Sequence, residues 1–100
     1  MTTHIHFVDI KADPKIEDNI RQRLEKADKK YGGDIIHAHV SLRVENFSGK
    51  RQKSCMIELN VPGSDVVVKS EEDTFDIAID EAFDELETRL RKQRQRMIAH

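Results

Sequence analysis

The sequence has one cysteine, no tryptophan, five aromatic residues in all, and no apolar run near the roughly 20 residues that a membrane-spanning helix needs. A lone thiol at Cys55 excludes an internal disulfide, and Met1 leads straight into an alternating strand pattern, so no secretory leader is expected. A soluble chain in a reducing, cytoplasmic setting is the expectation. Phe7, Tyr31, Phe75 and Phe83 fall on apolar stripes, leaving only Phe47 in a polar stretch. The chain therefore lacks an aromatic platform on which single-stranded bases could stack. It also lacks a P-loop, a dinucleotide-type glycine pattern, a Cys-x-x-Cys pair, internal repeats and low-complexity segments.

What the sequence does have is charge. Residues Asp, Glu, Lys and Arg make up 36% of its 100 positions against 37% hydrophobic, which suits one domain spanning 1–100 with a thin core under a charged surface. The net charge of −2 hides a strong segregation. Glu71 to Glu87 holds nine acids and no base, whereas Thr88 to His100 holds five bases and no acid. A helix macrodipole favours acids early and bases late, but it needs only one or two charges at each end. The excess is of the kind that directs binding to a polyanion.

Hydrophobic periodicity gives six elements. Ile5 and Phe7 alternate with His4 and His6 in a first strand. Asp13-Pro14 can cap and begin a helix whose stripe is Ile16, Ile20, Leu24, Ala27 and Tyr31, stopped by Gly32-Gly33. Ile36, Ala38, Val40, Leu42 and Val44 form one face of a long second strand, with His37, His39, Ser41, Arg43 and Glu45 on the other. Asn46 to Lys53 reads as a loop rather than a tight hairpin. Cys55, Ile57, Leu59 and Val61 make a third strand, and Val66-Val67-Val68 starts a fourth after a turn at Pro62-Gly63. The last helix begins at Asp73 or Thr74, and its stripe runs through Phe75, Ala78, Ile79, Ala82, Phe83, Leu86 and Leu90 towards Met97. The expected fold is α+β: a four-stranded mixed sheet with two α-helices packed on one face, in the order β-α-β-β-β-α. The first two strands can pair in parallel through the helical crossover, and the rest antiparallel.

Two constellations carry chemistry. Arg89, Arg91, Lys92, Arg94 and Arg96 crowd the end of the last helix, and Arg23 and Lys26 belong to the first. Helices side by side on one sheet would let such bases converge on phosphate oxygens, releasing counterions. In the first helix Glu17, Asp18, Glu25 and Asp28 interleave with the bases and could instead form surface pairs. The second constellation is two His-x-His pairs, His4/His6 and His37/His39, which would gather four imidazoles if their strands are neighbours. Exposed histidines without metal are the expected state, and no metal or cofactor is expected. No catalytic set emerges: Cys55 lies on a face expected to be buried, and the stripe Asp76, Asp80, Asp84 and Glu87 reads as a solvated helix face. The chain is not expected to be an enzyme.

Asp73-Thr74-Phe75-Asp76-Ile77-Ala78-Ile79-Asp80, followed by Leu86, Leu90, Arg91 and Lys92, resembles the signature of the ribosome hibernation-promoting factor and ribosome-associated inhibitor (protein Y) family. Ile5-x-Phe7, Val40-x-Leu42-Arg43-Val44-Glu45 and Glu58-Leu59-Asn60-Val61-Pro62-Gly63 follow in the family's order. Asp76 departs from it, standing where many relatives have tyrosine. The resemblance implies binding to the small ribosomal subunit and its rRNA at the decoding channel, over the mRNA and the A and P transfer-RNA sites. Translation in idle, starved or stationary-phase cells would thereby be inhibited. It implies RNA contacts at Arg23, Lys26, Arg43, Arg89, Lys92 and Arg94, no membrane partner and no small-molecule substrate. The length matches the family's short form, for which any ribosome dimerisation would be indirect or need a second factor. The alternative from charge alone is a generic RNA-binding regulatory module not specific to the ribosome.

Overall fold

A computed structural model describes residues 1–98, and the side chains of all of these except Phe47, Met97 and Ile98. The loop aromatic and the end of the last apolar stripe noted above thus lie outside the described side chains. The elements are β1 (Thr2–Phe7), α1 (Pro14–Lys30), β2 (His37–Phe47), β3 (Lys50–Val61), β4 (Ser64–Glu72) and α2 (Phe75–Ile98). The strands lie in the order β1-β2-β3-β4, with β1 parallel to β2 and the other pairs antiparallel, as the periodicity predicts.

Each helix starts where its cap chemistry dictates. The Asp13 carboxylate accepts from the Lys15 N–H at 2.9 Å and the Ile16 N–H at 3.5 Å, satisfying donors that the first turn leaves open. Thr74, rather than Asp73, caps α2: its Oγ1 accepts from the Ile77 N–H at 3.2 Å. The α1 helix ends as the Gly33 N–H donates to the Asp28 carbonyl at 2.7 Å, a closure that places Gly32 and Gly33 at φ of 103° and 71°.

One sheet face and the inner stripes of both helices form the core. Ala38, Val40 and Leu42 from β2, Cys55, Ile57 and Leu59 from β3, and Val66 and Val68 from β4 are buried there. Ile20, Leu24 and Ala27 of α1 and Ala78, Ile79, Ala82, Phe83, Leu86 and Leu90 of α2 complete it. Ile5 and Phe7 of the edge strand β1 pack against this cluster half-buried. The opposite sheet face is open, and there Val67 is 43% exposed.

Two expectations change. Asn46 to Lys53 is not a loop: β2 runs to Phe47 and β3 starts at Lys50, so only Ser48-Gly49 separates them. Both have positive φ, 52° and 78°, the backbone sign that tight hairpins use because it matches the strand twist. The hydrophobic alternation stops short of this tip because Asn46 and Arg51 are exposed on a part of the hairpin that the helices do not cover. The second change is at Ile36, which is 53% exposed while Ile35 is only 6% exposed. Strand β2 begins at His37, so its two-residue period does not extend back to Ile36. Ile35 enters the core instead, with its N–H held by the Asp28 carboxylate at 3.1 Å.

The two sheet faces should respond differently to substitution. Ile57→Ala should cost about 2–5 kcal/mol through a cavity in the central strand, and Asp13→Ala about 1 kcal/mol through loss of the cap. Val67→Thr on the open face should change stability by no more than about 0.5 kcal/mol. Urea denaturation measures all three, and a large loss for Val67→Thr would contradict the facing assigned to β4.

Candidate nucleic-acid interface

The six expected contact residues occupy three flanks of the helix layer and the open sheet face, not one patch. On the first flank, Arg23 of α1 reaches across to α2, donating from its guanidinium to the Asp80 carboxylate. The same guanidinium lies over the Phe83 ring at 5.5 Å, a cation–π contact. Lys26 shares this groove between the helices with Asp84 and Glu87. Beside it, Lys30 Nζ stands 3.6 Å from the Glu87 carboxylate.

Arg89 and Lys92 lie on the other flank of α2. With Arg96 they line a groove against Ser64, Asp65 and Val66, the start of β4. Their spacing of three and four residues accounts for this shared side. Arg89 makes only an exposed pair with Glu85 at 3.5 Å, one turn back. Arg96, absent from the six contacts carried over from the family signature, joins this groove through the same helical spacing.

Arg94 does something else. Its Nη1 donates to the Lys30 carbonyl at 3.2 Å, meeting an acceptor that the end of α1 leaves open. It also borders a recess lined by Tyr31, Gly32, Ile35, Val61, Pro62 and Leu90. Arg94 thus ties α2 to the C-terminus of α1. Arg43 lies on the open sheet face, because its neighbours Leu42 and Val44 point towards the helices. There Arg43 Nε is 3.9 Å from Glu45, whose carboxylate also accepts from Lys69 Nζ at 3.2 Å. Hydrogen bonding to Glu45 is the main cause of a raised Lys69 pKa.

The acidic stripe of α2, expected to be a solvated face, also has a structural use. Asp80 and Glu87 face bases of α1, so two of its acids help join the helices. Glu81 accepts from Ser70 Oγ at 2.9 Å and raises the pKa of Glu72 through a shared hydrogen bond. The acids expected to pair within α1 do so in part: Glu17 pairs with Arg21 at 3.1 Å, whereas Asp28 serves the Ile35 N–H.

The His-x-His pairs do meet. The parallel register sets His4 opposite His39, with ring centroids 5.2 Å apart and planes 14° from parallel. His37 lies 6.4 Å from His39, whereas His6 faces Ser41. Among the described residues no group of three or more His, Cys, Asp or Glu side chains is arranged to hold a metal. Likewise, no helix among them is long and apolar enough to cross a membrane.

The model of the sigma 54 modulation protein / S30EA ribosomal protein family matches residues 3–98. The chain belongs to this family. Among solved structures, the Thermus thermophilus Protein Y N-terminal domain is similar at 26% identity with a TM-score of 0.76, covering 92% of this chain and 98% of that one. A ribosomal subunit interface protein from Coxiella burnetii shares the fold at 19% identity and a TM-score of 0.73, with coverage of 95% and 99%. No curated protein gives a significant match. S30EA-type proteins are not a known enzyme family, and Cys55 is poorly suited to be a nucleophile. It is wholly buried, and that burial pushes its pKa from 9.0 to about 12.

Cys55 should therefore resist thiol reagents in the folded protein and react quickly only after denaturation, as timed labelling would measure. Because its folded pKa is raised, its contribution to stability is intact below about pH 9. That contribution declines as pH rises towards 12, where the unfolded thiol ionises and the folded one stays protonated. Rapid labelling under native conditions would contradict the burial of β3.

Proposed function

We propose that this chain binds the small ribosomal subunit through rRNA phosphates at the decoding channel, where it overlaps the mRNA and the A and P transfer-RNA sites. It thereby inhibits translation in idle or starved cells, including those in stationary phase. The family match across residues 3–98 carries this reading. The location follows as cytoplasmic, and the action as occupancy rather than catalysis.

The surface chemistry supports an RNA partner of defined shape. Arg89, Lys92 and Arg96 present exposed cations along one groove, suited to phosphate oxygens spaced along a backbone. On the other flank of α2, Arg23 and Lys26 lie among Asp80, Asp84 and Glu87, so they would reach phosphate by exchange of partners. There Arg23 would exchange its exposed bond to Asp80 for a phosphate, at little cost because surface ion pairs contribute about 0–1 kcal/mol. Arg94 acts indirectly by fixing α2 against the end of α1, and Arg43 would contribute only if rRNA also wraps the open sheet face.

Two variants test the surface. Arg89→Gln, Lys92→Gln and Arg96→Gln combined should melt close to the parent. Their affinity for purified small subunits should fall, and the slope of log affinity against log salt should decrease by roughly two to three. Asp80→Asn, which frees Arg23, should bind as tightly or more tightly. Sedimentation across a salt series reads both. Unchanged binding by the triple variant would refute the proposed contact surface, and equal affinity for free duplex RNA and small subunits would leave only a general RNA-binding module.

A further inference from the structure

The imidazoles of β1 and β2 take no part in the interface proposed above. His4 and His39 are both exposed and are direct partners in the parallel register. Two imidazoles sharing one tetrahedral ion, each at about 2.0–2.1 Å from it, have ring centroids about 5 Å apart. Here the separation is 5.2 Å. The rings are near-parallel, so converging on one ion requires rotation about the side-chain bonds. Both side chains are exposed, which leaves them free to turn. Glu58, the register partner of His39 on its other side, puts an exposed carboxylate in the same cross-strand row, while Arg21, which lines the recess beside His4 and His39, is paired with Glu17 at 3.1 Å.

We infer that His4 and His39 form a surface site for a divalent ion of the zinc type, with two imidazole ligands and water in the remaining positions. Imidazole suits such an ion, which fixes the chemical class. A site with only two protein ligands is weak and exchangeable rather than a permanent structural centre. Its physical effect would be local: the ion would clasp the edge strand β1 to β2 and stabilise the folded state, because the unfolded chain does not hold the two rings together. His37, whose ring is 6.4 Å from that of His39, stands next in line but outside the pair.

Calorimetric titration of the chelator-treated full chain with zinc chloride tests the assignment, alongside melting curves with and without zinc. The parent should bind one ion and melt at a higher temperature in its presence. His4→Asn and His39→Asn should each weaken binding by roughly tenfold or more and abolish the shift in melting, while remaining folded by circular dichroism. His6→Asn, one pleat further along β1 and opposite Ser41, should bind like the parent. Absence of zinc binding by the parent would overturn the proposal. So would parent-like affinity in His39→Asn, which tests the site from β2 if the β1 variant folds poorly, or an equal loss in His6→Asn.

Discussion

The molecule depends on covering a single apolar sheet face. Eight buried side chains from β2, β3 and β4, Ala38 to Val68, share that face. Each fully buried valine, leucine or isoleucine among them is worth about 1.5–3 kcal/mol relative to exposure. Among the described residues two amphipathic helices are the only elements able to supply the lid, so both must lie on the same side. This requirement divides the rest of the surface. The outward sides of α1 and α2 become free for charge, and the uncovered sheet face is largely polar, with His4, His39, Arg43 and Lys69 beside the exposed Val67.

The helix lid is joined at its seam by charge as well as by apolar contact. Arg23 with Asp80, Lys30 with Glu87, and Arg94 with the Lys30 carbonyl span the line between α1 and α2. Each is exposed, so together they orient the helices more than they hold the fold. That makes them suitable for exchange. A phosphate approaching Arg23 would replace one anion with another, and Asp80 would regain water on its release.

Alternation and helical period carried nearly all of the architecture, because a one-sided sheet writes its facing into every second residue. Asp13-Pro14 and Gly32-Gly33 mark the ends of α1 by their own backbone preferences. The pattern failed where burial stops: the tip around Ser48-Gly49 has wet residues on both faces and so leaves no period to read. At Ile35 and Ile36 two adjacent isoleucines offer both phases, and only the start of β2 at His37 chooses between them. Site residues were less legible than core residues for a related reason. Periodicity places Arg89, Lys92 and Arg96 together on α2, but which flank meets β4 and which meets α1 depends on how the helix is rotated over the sheet. The separation of Arg23 from Arg89, and the capping role of Arg94, are tertiary facts. Likewise, the meeting of His4 with His39 rather than with His37 depends on strand register, which sequence spacing does not set.

A net charge of −2 is compatible with binding a polyanion because the opposite charges of α2 are separated along the helix and do not cancel close to its surface. The middle of its acidic segment, near Glu81, and the middle of its basic segment, near Lys92, are about eleven residues apart, or about 16 Å along a helix axis. At physiological ionic strength the screening length is about 8 Å, so a phosphate beside Lys92 would be separated from Asp76, Asp80 and Glu81 by about two screening lengths or more. The nearer acids are locally engaged: Glu85 with Arg89, and Glu87 with Lys30. An approaching RNA would therefore meet the basic end as a positive surface, while the acidic end would repel it. Charge segregation along one rigid helix thus acts on orientation, favouring approach with the C-terminal half of α2 and the β4 groove leading, even though the chain as a whole is weakly negative.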